Sequence, residues 1–215
     1  MIEEGTLNRR ALAALAHALR QGELRAGQFL SMPQLVDLLK LPLAPVRDAA
    51  RHAAASGWLE IIPKRGVQVM EATPDIIRDS LDLRMVLDQE GARRRIAGGL
   101  EGLAALRQTH QAMLDEALGV GVPGLSLRAM GVDGSLHQYL ADGLGNALLR
   151  ETYAANRIRI DIIQRVRPFV QERVRSAMEE HLAIIAALEA RDADAAVAAL
   201  SLHCARTRHW WGLPD

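Results

Sequence analysis

Apolar residues near the start of the chain recur at helical spacing. Leu12, Leu15 and Leu19 are three and four positions apart, so they share one face of a helix. The pattern therefore predicts an amphipathic helix over residues 7–21. Gly22 follows directly and ends it, because glycine is favoured just after the last helical turn.

Two further helices are predicted before residue 57. Ser31 and Gln34 form a capping-box pattern, in which the hydroxyl and the amide satisfy exposed backbone groups at the start of a helix. This helix ends near Leu39. After a tight turn, Pro45 opens a third helix that runs to Ser56, since proline is tolerated in the first helical turn.

The apolar pattern then changes from helical spacing to short extended runs. Residues 58–62 and 67–70 are predicted as two strands, and the basic turn 63–66 joins them. Two short helices with a tight turn between them, followed by a hairpin with a basic tip, are typical of a winged helix-turn-helix. The third helix is then the one that enters the DNA major groove.

The rest of the chain is predicted to be helical throughout. A polar hinge over residues 71–75 separates the two patterns, and we place the domain boundary between residues 1–72 and 73–215. About six antiparallel helices form a bundle in this interpretation. Their predicted ranges are 74–97, 100–118, 125–142, 146–166, 169–191 and 193–209. The predicted fold class is therefore mainly α.

Composition narrows the class of protein. The 215 residues carry no formal net charge and 49% are hydrophobic, which argues against a disordered chain. No apolar run approaches the roughly 20 residues of a membrane helix, and the first residues do not resemble a signal peptide. The single cysteine, Cys204, cannot form an internal disulfide. We therefore expect a cytoplasmic protein with no membrane partner.

Basic residues in the first segment point to nucleic acid. Residues 1–70 hold nine Lys/Arg and six Asp/Glu, a net charge of +3. Arg47 and Arg51 are four positions apart, so they share a face of the third helix, where they can meet phosphates or guanine edges. Lys64 and Arg65 at the wing tip can reach the DNA backbone or the minor groove. A solvated basic face on a packing module is the alternative.

One constellation in the second segment has the residue types of a metal site. Asp133 and His137 are four positions apart, so a helix places both side chains on one face, where they can chelate one ion. His181 and His203 lie equally far before and after Asp192, at the turn between the last two predicted helices. In an antiparallel hairpin the two imidazoles therefore lie at the same height.

Such a set of nitrogen and oxygen donors suits zinc, nickel, manganese or iron rather than calcium or magnesium. Ordinary helical histidines remain an alternative, because Glu179 and Glu180 beside His181 are compatible with a solvated face. The other histidines have no comparable partners in the sequence, and we interpret them as structural or surface residues: His17, His52, His110 and His209.

Several short segments resemble a known family of bacterial repressors, the GntR family. In the first segment the matching pieces are Gly22–Gly27, Leu30–Ser31, Pro45–Ala49 and Arg65–Val67. The second segment resembles the FadR-type effector-binding bundle, the FCD domain. Its matching residues are Asp133, His137, Gly145, Asn146, His181 and His203.

The resemblance implies a homodimeric transcription factor that binds a double-stranded DNA operator. It implies that Gly66 belongs to the DNA-contacting wing, and that a metal and a small ligand, often a carboxylic acid, bind in the bundle. Arg84 and Asn146 match family positions that contact the small ligand. The alternative for Arg84 is a surface ion pair with Asp82 or Asp88. The implied metal ligands are Asp133, His137, His181 and His203.

The chain also departs from the family pattern. Family members commonly carry Ser-Arg-Thr before the third helix, where this chain has Pro42, Leu43 and Ala44. The glutamate that usually follows Leu-Ser is Met32. We therefore expect fewer base contacts and an operator that cannot be transferred from relatives.

Four functions are compatible with these residues. The first is a regulator, with the repressor as its usual form, whose DNA affinity a small carboxylate controls. The second is a metal-responsive regulator in which the ion itself is the effector. A metal-dependent enzyme is a third hypothesis, weakened because no separate acid or base is evident beside the ligands. A degenerate adapter that no longer binds DNA is the fourth.

Overall fold

The computed structural model describes residues 2–119 and 122–213. Within this part of the chain there are nine helices and three short strands. The chain divides into two compact units. The first runs through Ile77 and also takes in Arg157–Val166, and the second comprises Arg78–Asn156 and the chain from Arg167. The domain boundary predicted near residue 72 remains a prediction.

The first unit begins with the predicted helical pattern. Its helices are α1 (Ile2–Gln21), α2 (Met32–Leu39) and α3 (Leu43–Ala55). The capping box at the start of α2 is present: the Gln34 amide donates to the Ser31 hydroxyl, and Gln34 Oε1 accepts from the Ser31 amide at 2.8 Å. This local closure fixes the start of α2 and with it the turn toward α3.

The wing is a three-stranded antiparallel sheet. Its strands are β1 (Phe29–Leu30), β2 (Leu59–Ile62) and β3 (Gly66–Val69), in the order β1-β3-β2. The sequence predicted β2 and β3 but not β1. Two residues are too short for an alternating pattern, and β1 exists because Leu30 pairs with Val67 across the edge of the hairpin.

Six helices follow, and the mainly helical prediction is confirmed. They are α4 (Pro74–Gly98), α5 (Leu103–Ala117), α6 (Leu125–Asp142), α7 (Ala147–Val166), α8 (Gln171–Glu189) and α9 (Ala193–Trp210). The break predicted between α5 and α6 includes residues 120 and 121, which lie outside the described residues. No described helix has the length and apolarity that a membrane span requires.

The last residues of α7 belong to the first unit. There the Arg159 guanidinium donates twice to the carbonyl of Ser56, at 2.8 and 3.1 Å, and Ser56 is the C-cap residue of α3. Arg165 donates in the same way to the carbonyl of Arg20 in the last turn of α1. These bonds satisfy carbonyls that helix ends leave without an intrahelical partner.

Two apolar clusters in the second unit enclose a polar layer. On α6, Ala129 belongs to one cluster and Leu136 to the other. On α8, Met178 and Ile184 are divided in the same way. Buried polar residues lie where the two clusters divide each helix, Asp133 and His137 on α6 and Glu180 and His181 on α8, and they are described next.

Candidate metal centre and nucleic-acid interface

The predicted DNA-contacting side chains surround one groove of the first unit. A cavity of about 410 Å³ is lined by Arg47 and Arg51 of α3 and by Lys64 and Arg65 of the wing. All four residues are exposed. The structure thus brings together cations that the sequence places in separate elements, and they can meet one stretch of DNA phosphates or base edges.

Two of these cations have intramolecular contacts that orient them. Arg51 forms an ion pair with Asp48 at 2.9 Å on the surface of α3. The Arg65 guanidinium lies 5.5 Å from the centre of the Phe29 ring, within the range of a cation–π contact. Asp48 competes with DNA phosphates for Arg51, whereas Phe29 leaves the donors of Arg65 available.

Gly66 has a packing reason to be glycine. It is buried, has φ +151°, and a Cβ atom there would lie 2.1 Å from the Leu30 carbonyl oxygen. Only glycine permits this approach between β3 and β1. A role for Gly66 in touching DNA remains a prediction from the resemblance.

Four potential metal ligands converge in the polar layer of the second unit. Asp133 and His137 lie one turn apart on α6, His181 lies on α8 and His203 on α9, and all four are buried. One ligand atom from each lies within 4.8 Å of the other three. The Nε2 atoms of His181 and His203 are 3.4 Å apart, and Asp133 Oδ1 is 3.6 Å from His181 Nε2.

Two buried carboxylates fix the orientation of two imidazoles of this group. Asp88 of α4 lies 2.7 Å from Nδ1 of His137, and Glu180 of α8 lies 2.7 Å from Nδ1 of His203. A carboxylate accepts, so each Nδ1 carries a proton and each Nε2 presents a lone pair. Metal-bound histidines typically donate their second nitrogen to a carboxylate in this way.

Burial and neighbouring charges set the protonation of the group. Desolvation lowers the pKa of His203 to about 4, although its hydrogen bond to Glu180 opposes this. Burial, followed by the effect of His203, lowers the pKa of His181 well below its usual range. Burial by itself raises the pKa of Asp133, but the imidazoles and Arg84 together bring it below its usual range. At neutral pH His181 and His203 are therefore neutral beside an ionised carboxylate.

This donor set fits a divalent transition metal. His137 Nε2 has no hydrogen-bond partner among the described residues, so its lone pair is buried without compensation. Four ligands around a tetrahedral ion with bonds of about 2.0–2.1 Å stand about 3.4 Å apart. The closest donors of the group, at 3.4 and 3.6 Å, approach this separation.

Arg84 on α4 is a buried cation beside the group. Only 4% of it is exposed, and its Nη1 atom has no hydrogen-bond partner in the described part of the chain. Asp82 pairs with Arg208, and Asp88 holds His137. The alternative of a surface ion pair for Arg84 is therefore wrong.

Asn146 lies elsewhere. It is exposed, and its Oδ1 accepts from the Leu149 amide at 3.1 Å, which caps the start of α7. Within the described residues, no contact joins it to the Asp-His group. Its predicted contact with an effector is not part of this arrangement and remains a prediction from the resemblance.

Sequence reasoning missed a fourth imidazole, His110 of α5. It is fully buried, and its ring centre lies 5.2 Å from that of His181. Its position carries a signal that could have revealed it, because it continues an apolar stripe at spacings of three and four. The stripe consists of Leu103, Leu106, His110, Met113 and Ala117. Asp88 and Glu180 carried no comparable signal, because acidic residues are common on exposed helix faces.

Two family patterns match the chain. The FCD domain matches residues 79–206, and the bacterial regulatory proteins of the gntR family match residues 7–69. The comparison with curated protein sequences found no match to the chain.

Solved structures share the fold. The Escherichia coli protein McbR/YncC has a TM-score of 0.78 and 17% identity, over 95% of this chain and 96% of that one. A GntR regulator from Rhodococcus sp. RHA1 has a TM-score of 0.71 and 20% identity, over the same shares. The Listeria monocytogenes protein Lar, described as controlling expression of the agr system, has a TM-score of 0.57 and 12% identity, over 95% of each chain.

The family assignment agrees with the geometry of both units. GntR regulators with an FCD domain regulate transcription and are not enzymes, which removes the metal-dependent enzyme from the hypotheses. The basic groove of the first unit suits their binding to DNA. The chain belongs to the GntR family of DNA-binding transcriptional regulators and carries a C-terminal FCD domain.

Proposed function

We propose that a small carboxylate, bound at a metal centre in the second unit, controls the DNA affinity of this regulator. The observation that carries the proposal is Arg84, a buried guanidinium with an unpartnered Nη1. A buried charge is costly unless it is paired. A carboxylate gives Arg84 the partner that the described residues do not supply to Nη1.

Asp133, His137, His181 and His203 would hold the metal ion. When bound, the ion supplies a second positive centre that attracts a carboxylate oxygen. Arg84 acts electrostatically on the same residues, since its charge lowers the pKa of Asp133 and of His203. An anion near the group therefore meets two positive centres in a buried environment where charges interact strongly.

The charges of the buried side chains around the candidate metal centre favour an effector with a single negative charge. Asp88, Asp133 and Glu180 are buried carboxylates, and Arg84 and Arg173 are buried guanidiniums. Together these five side chains leave one negative charge, and a divalent ion changes the sum to one positive charge. A monocarboxylate then makes the cluster neutral.

We also propose that the protein acts as a homodimeric repressor in the bacterial cytoplasm. Dimerisation is typical of GntR regulators, and two copies of α3 can read two half-sites of one operator. An effector that binds a second arrangement of the dimer more tightly lowers the affinity of the dimer for the operator. The size of this decrease is limited by the difference between the effector's affinities for the two arrangements.

A metal-responsive regulator is the second candidate function. The specific observation in its favour is that the chain offers four ligands, which complete a tetrahedral site without any external group. In that case the ion alone changes DNA affinity, and Arg84 contributes only to the charge balance.

A DNA-binding titration tests both proposals. The probes are DNA from upstream of the protein's own gene and unrelated DNA, at two salt concentrations, with zinc-loaded and chelator-treated protein. For the carboxylate proposal we expect one member of a panel of monocarboxylic acids to change operator affinity about 5–150-fold, the usual range of allosteric coupling. The effect should require zinc and disappear in Arg84→Met.

The other outcomes are equally informative. If zinc alone changes operator affinity by this amount and no acid adds to it, the metal-responsive function replaces the carboxylate proposal. If neither zinc nor any acid changes the affinity, both proposals fail. Arg78→Met, a substitution elsewhere on α4, controls for the loss of one positive charge.

A further inference from the structure

His110 presents an unused hydrogen-bond acceptor to the candidate metal centre. Its Nδ1 lies 2.8 Å from the Leu106 carbonyl oxygen. A carbonyl only accepts, so Nδ1 carries the proton and Nε2 keeps the lone pair. This Nε2 is buried and has no hydrogen-bond partner among the residues that the structure describes.

His181 presents the complementary group. Its Nε2 faces the other ligands, 3.4 Å from His203 Nε2, while its Nδ1 is buried and has no hydrogen-bond partner in the described chain. A metal ion at Nε2 requires the proton of this neutral imidazole to be on Nδ1. That leaves a buried N–H donor, which costs free energy unless an acceptor is present.

We infer that His110 is the positioning residue for His181. The two rings are 5.2 Å apart between centres and inclined at 58°. In the metal-bound state His181 Nδ1 donates a hydrogen bond to His110 Nε2, directly after a small rotation of the rings or through one buried water. The inference rests on the proposed metal centre.

His110 completes a set of three holding groups, by which we mean the hydrogen-bond partners that orient the imidazoles of the candidate metal centre. Asp88 holds His137 and Glu180 holds His203, each at 2.7 Å, and His110 holds His181. The third group differs because it is neutral. A third carboxylate would add a negative charge to a buried cluster that already contains three, whereas an imidazole accepts a hydrogen bond without that cost.

His110 acts through His181 and is not itself one of the four clustered ligands. Its ring nitrogens do not belong to the group of potential metal-ligating atoms that lie within 4.8 Å of one another. Removing its acceptor should therefore weaken metal binding without abolishing it. For partners that hold a metal ligand, such losses are typically about 10–100-fold in metal affinity.

Two substitutions separate the acceptor from the packing of the ring. His110→Phe fills the buried space but has no acceptor, and His110→Gln places an amide oxygen near the position of Nε2. Asp88→Asn serves as the reference variant, because it alters the holding group of His137. The full-length proteins are titrated with cobalt and zinc against a competing chelator, and the visible absorption of the cobalt form is recorded.

We expect His110→Phe to bind zinc about 10–100-fold more weakly and to shift the cobalt spectrum, and His110→Gln to restore most of both. The metal-free His110→Phe protein should unfold at a temperature close to that of the native protein. If His110→Phe keeps the native zinc affinity and cobalt spectrum while Asp88→Asn binds zinc more weakly, the inference about His110 is overturned and the metal centre is not. Equal losses in the Phe and Gln variants indicate packing and also overturn it. If the native protein binds neither metal, the metal centre fails and the inference fails with it.

Discussion

At the residue scale, burial makes the histidines of the candidate metal centre depend on their neighbours. His137 and His203 are completely or almost completely buried, and each is held in one tautomer by its own carboxylate. Arg173 in turn donates to Glu180 at 2.9 Å and to Thr207 at 2.9 Å. The orientation of His203 is therefore set by a chain of charge-assisted hydrogen bonds, which are shorter and stronger than neutral ones.

The DNA face allows a test at single residues. We expect Arg47→Ala to weaken operator binding by about 1–3 kcal/mol if Arg47 forms a bidentate contact with guanine. We expect Arg65→Ala to weaken binding to all DNA sequences similarly and to reduce the dependence on salt, as a phosphate contact does. Titrations of both variants with operator and unrelated DNA measure this. Equal losses of Arg47→Ala on both DNAs would identify Arg47 as a phosphate contact.

Prediction from sequence reached the four residues of the candidate metal centre but not the groups that orient them. Asp133 and His137 are recognisable because helical spacing alone places them on one face. His181 and His203 followed from equal distances to the turn at Asp192. The partners of these residues depend on which helices become neighbours and on which rotamers they adopt, and neither is set by local spacing.

At the element scale, the bundle depends on close approach between α4 and α6. A Cβ atom at Gly91 of α4 would lie 2.3 Å from the carbonyl oxygen of Leu140 on α6. The same two helices carry Asp88 and His137. The small residue at 91 therefore allows the separation at which the carboxylate reaches the imidazole.

A pair of glycine substitutions tests this contact. Gly91→Ala should destabilise the protein by about 1–3 kcal/mol, because an inserted methyl group forces packed helices apart. Gly131→Ala, at an exposed position of α6, should stabilise it by about 0.5–1 kcal/mol, because open space surrounds the site and alanine is the better helix former. Urea unfolding of both variants measures the difference. A shift in the same direction for both would contradict the close-approach argument.

The helices themselves were predicted well and the smallest strand was not. Long amphipathic patterns gave α4 and α6 to within one residue at each end. β1 has two residues, and it forms only because β3 is already present to pair with it. Tertiary pairing of this kind has no signature in a short window of sequence.

At the scale of the whole molecule, a metal bound only by the folded bundle adds to its stability. The candidate ligand atoms come from three helices, α6, α8 and α9, so they converge only in the folded state. Binding energy therefore becomes folding energy.

Metal loading should raise the unfolding temperature. At a free zinc concentration of a hundred times Kd, the stabilisation is about 2.7 kcal/mol, which corresponds to an increase in Tm of about 5–11 °C for a chain of this size. Calorimetry of zinc-loaded and chelator-treated protein measures it. Magnesium is the control, because it prefers oxygen ligands and should leave Tm unchanged. An unchanged Tm with zinc, nickel, manganese and iron would exclude a metal bound preferentially by the folded state.

The pairing of His137 with Asp88 and of His203 with Glu180 also has an evolutionary consequence. A lineage that replaced only the histidine would weaken the compensation of a buried carboxylate. Asp88 would keep no ion-pair partner among the described residues, at a cost of several kcal/mol, and Glu180 would keep only Arg173 and Arg206. Replacing only the carboxylate would leave an imidazole free to turn away. Histidine and carboxylate should therefore be inherited or lost as pairs among descendants of this protein, so that each pair behaves as a single heritable unit.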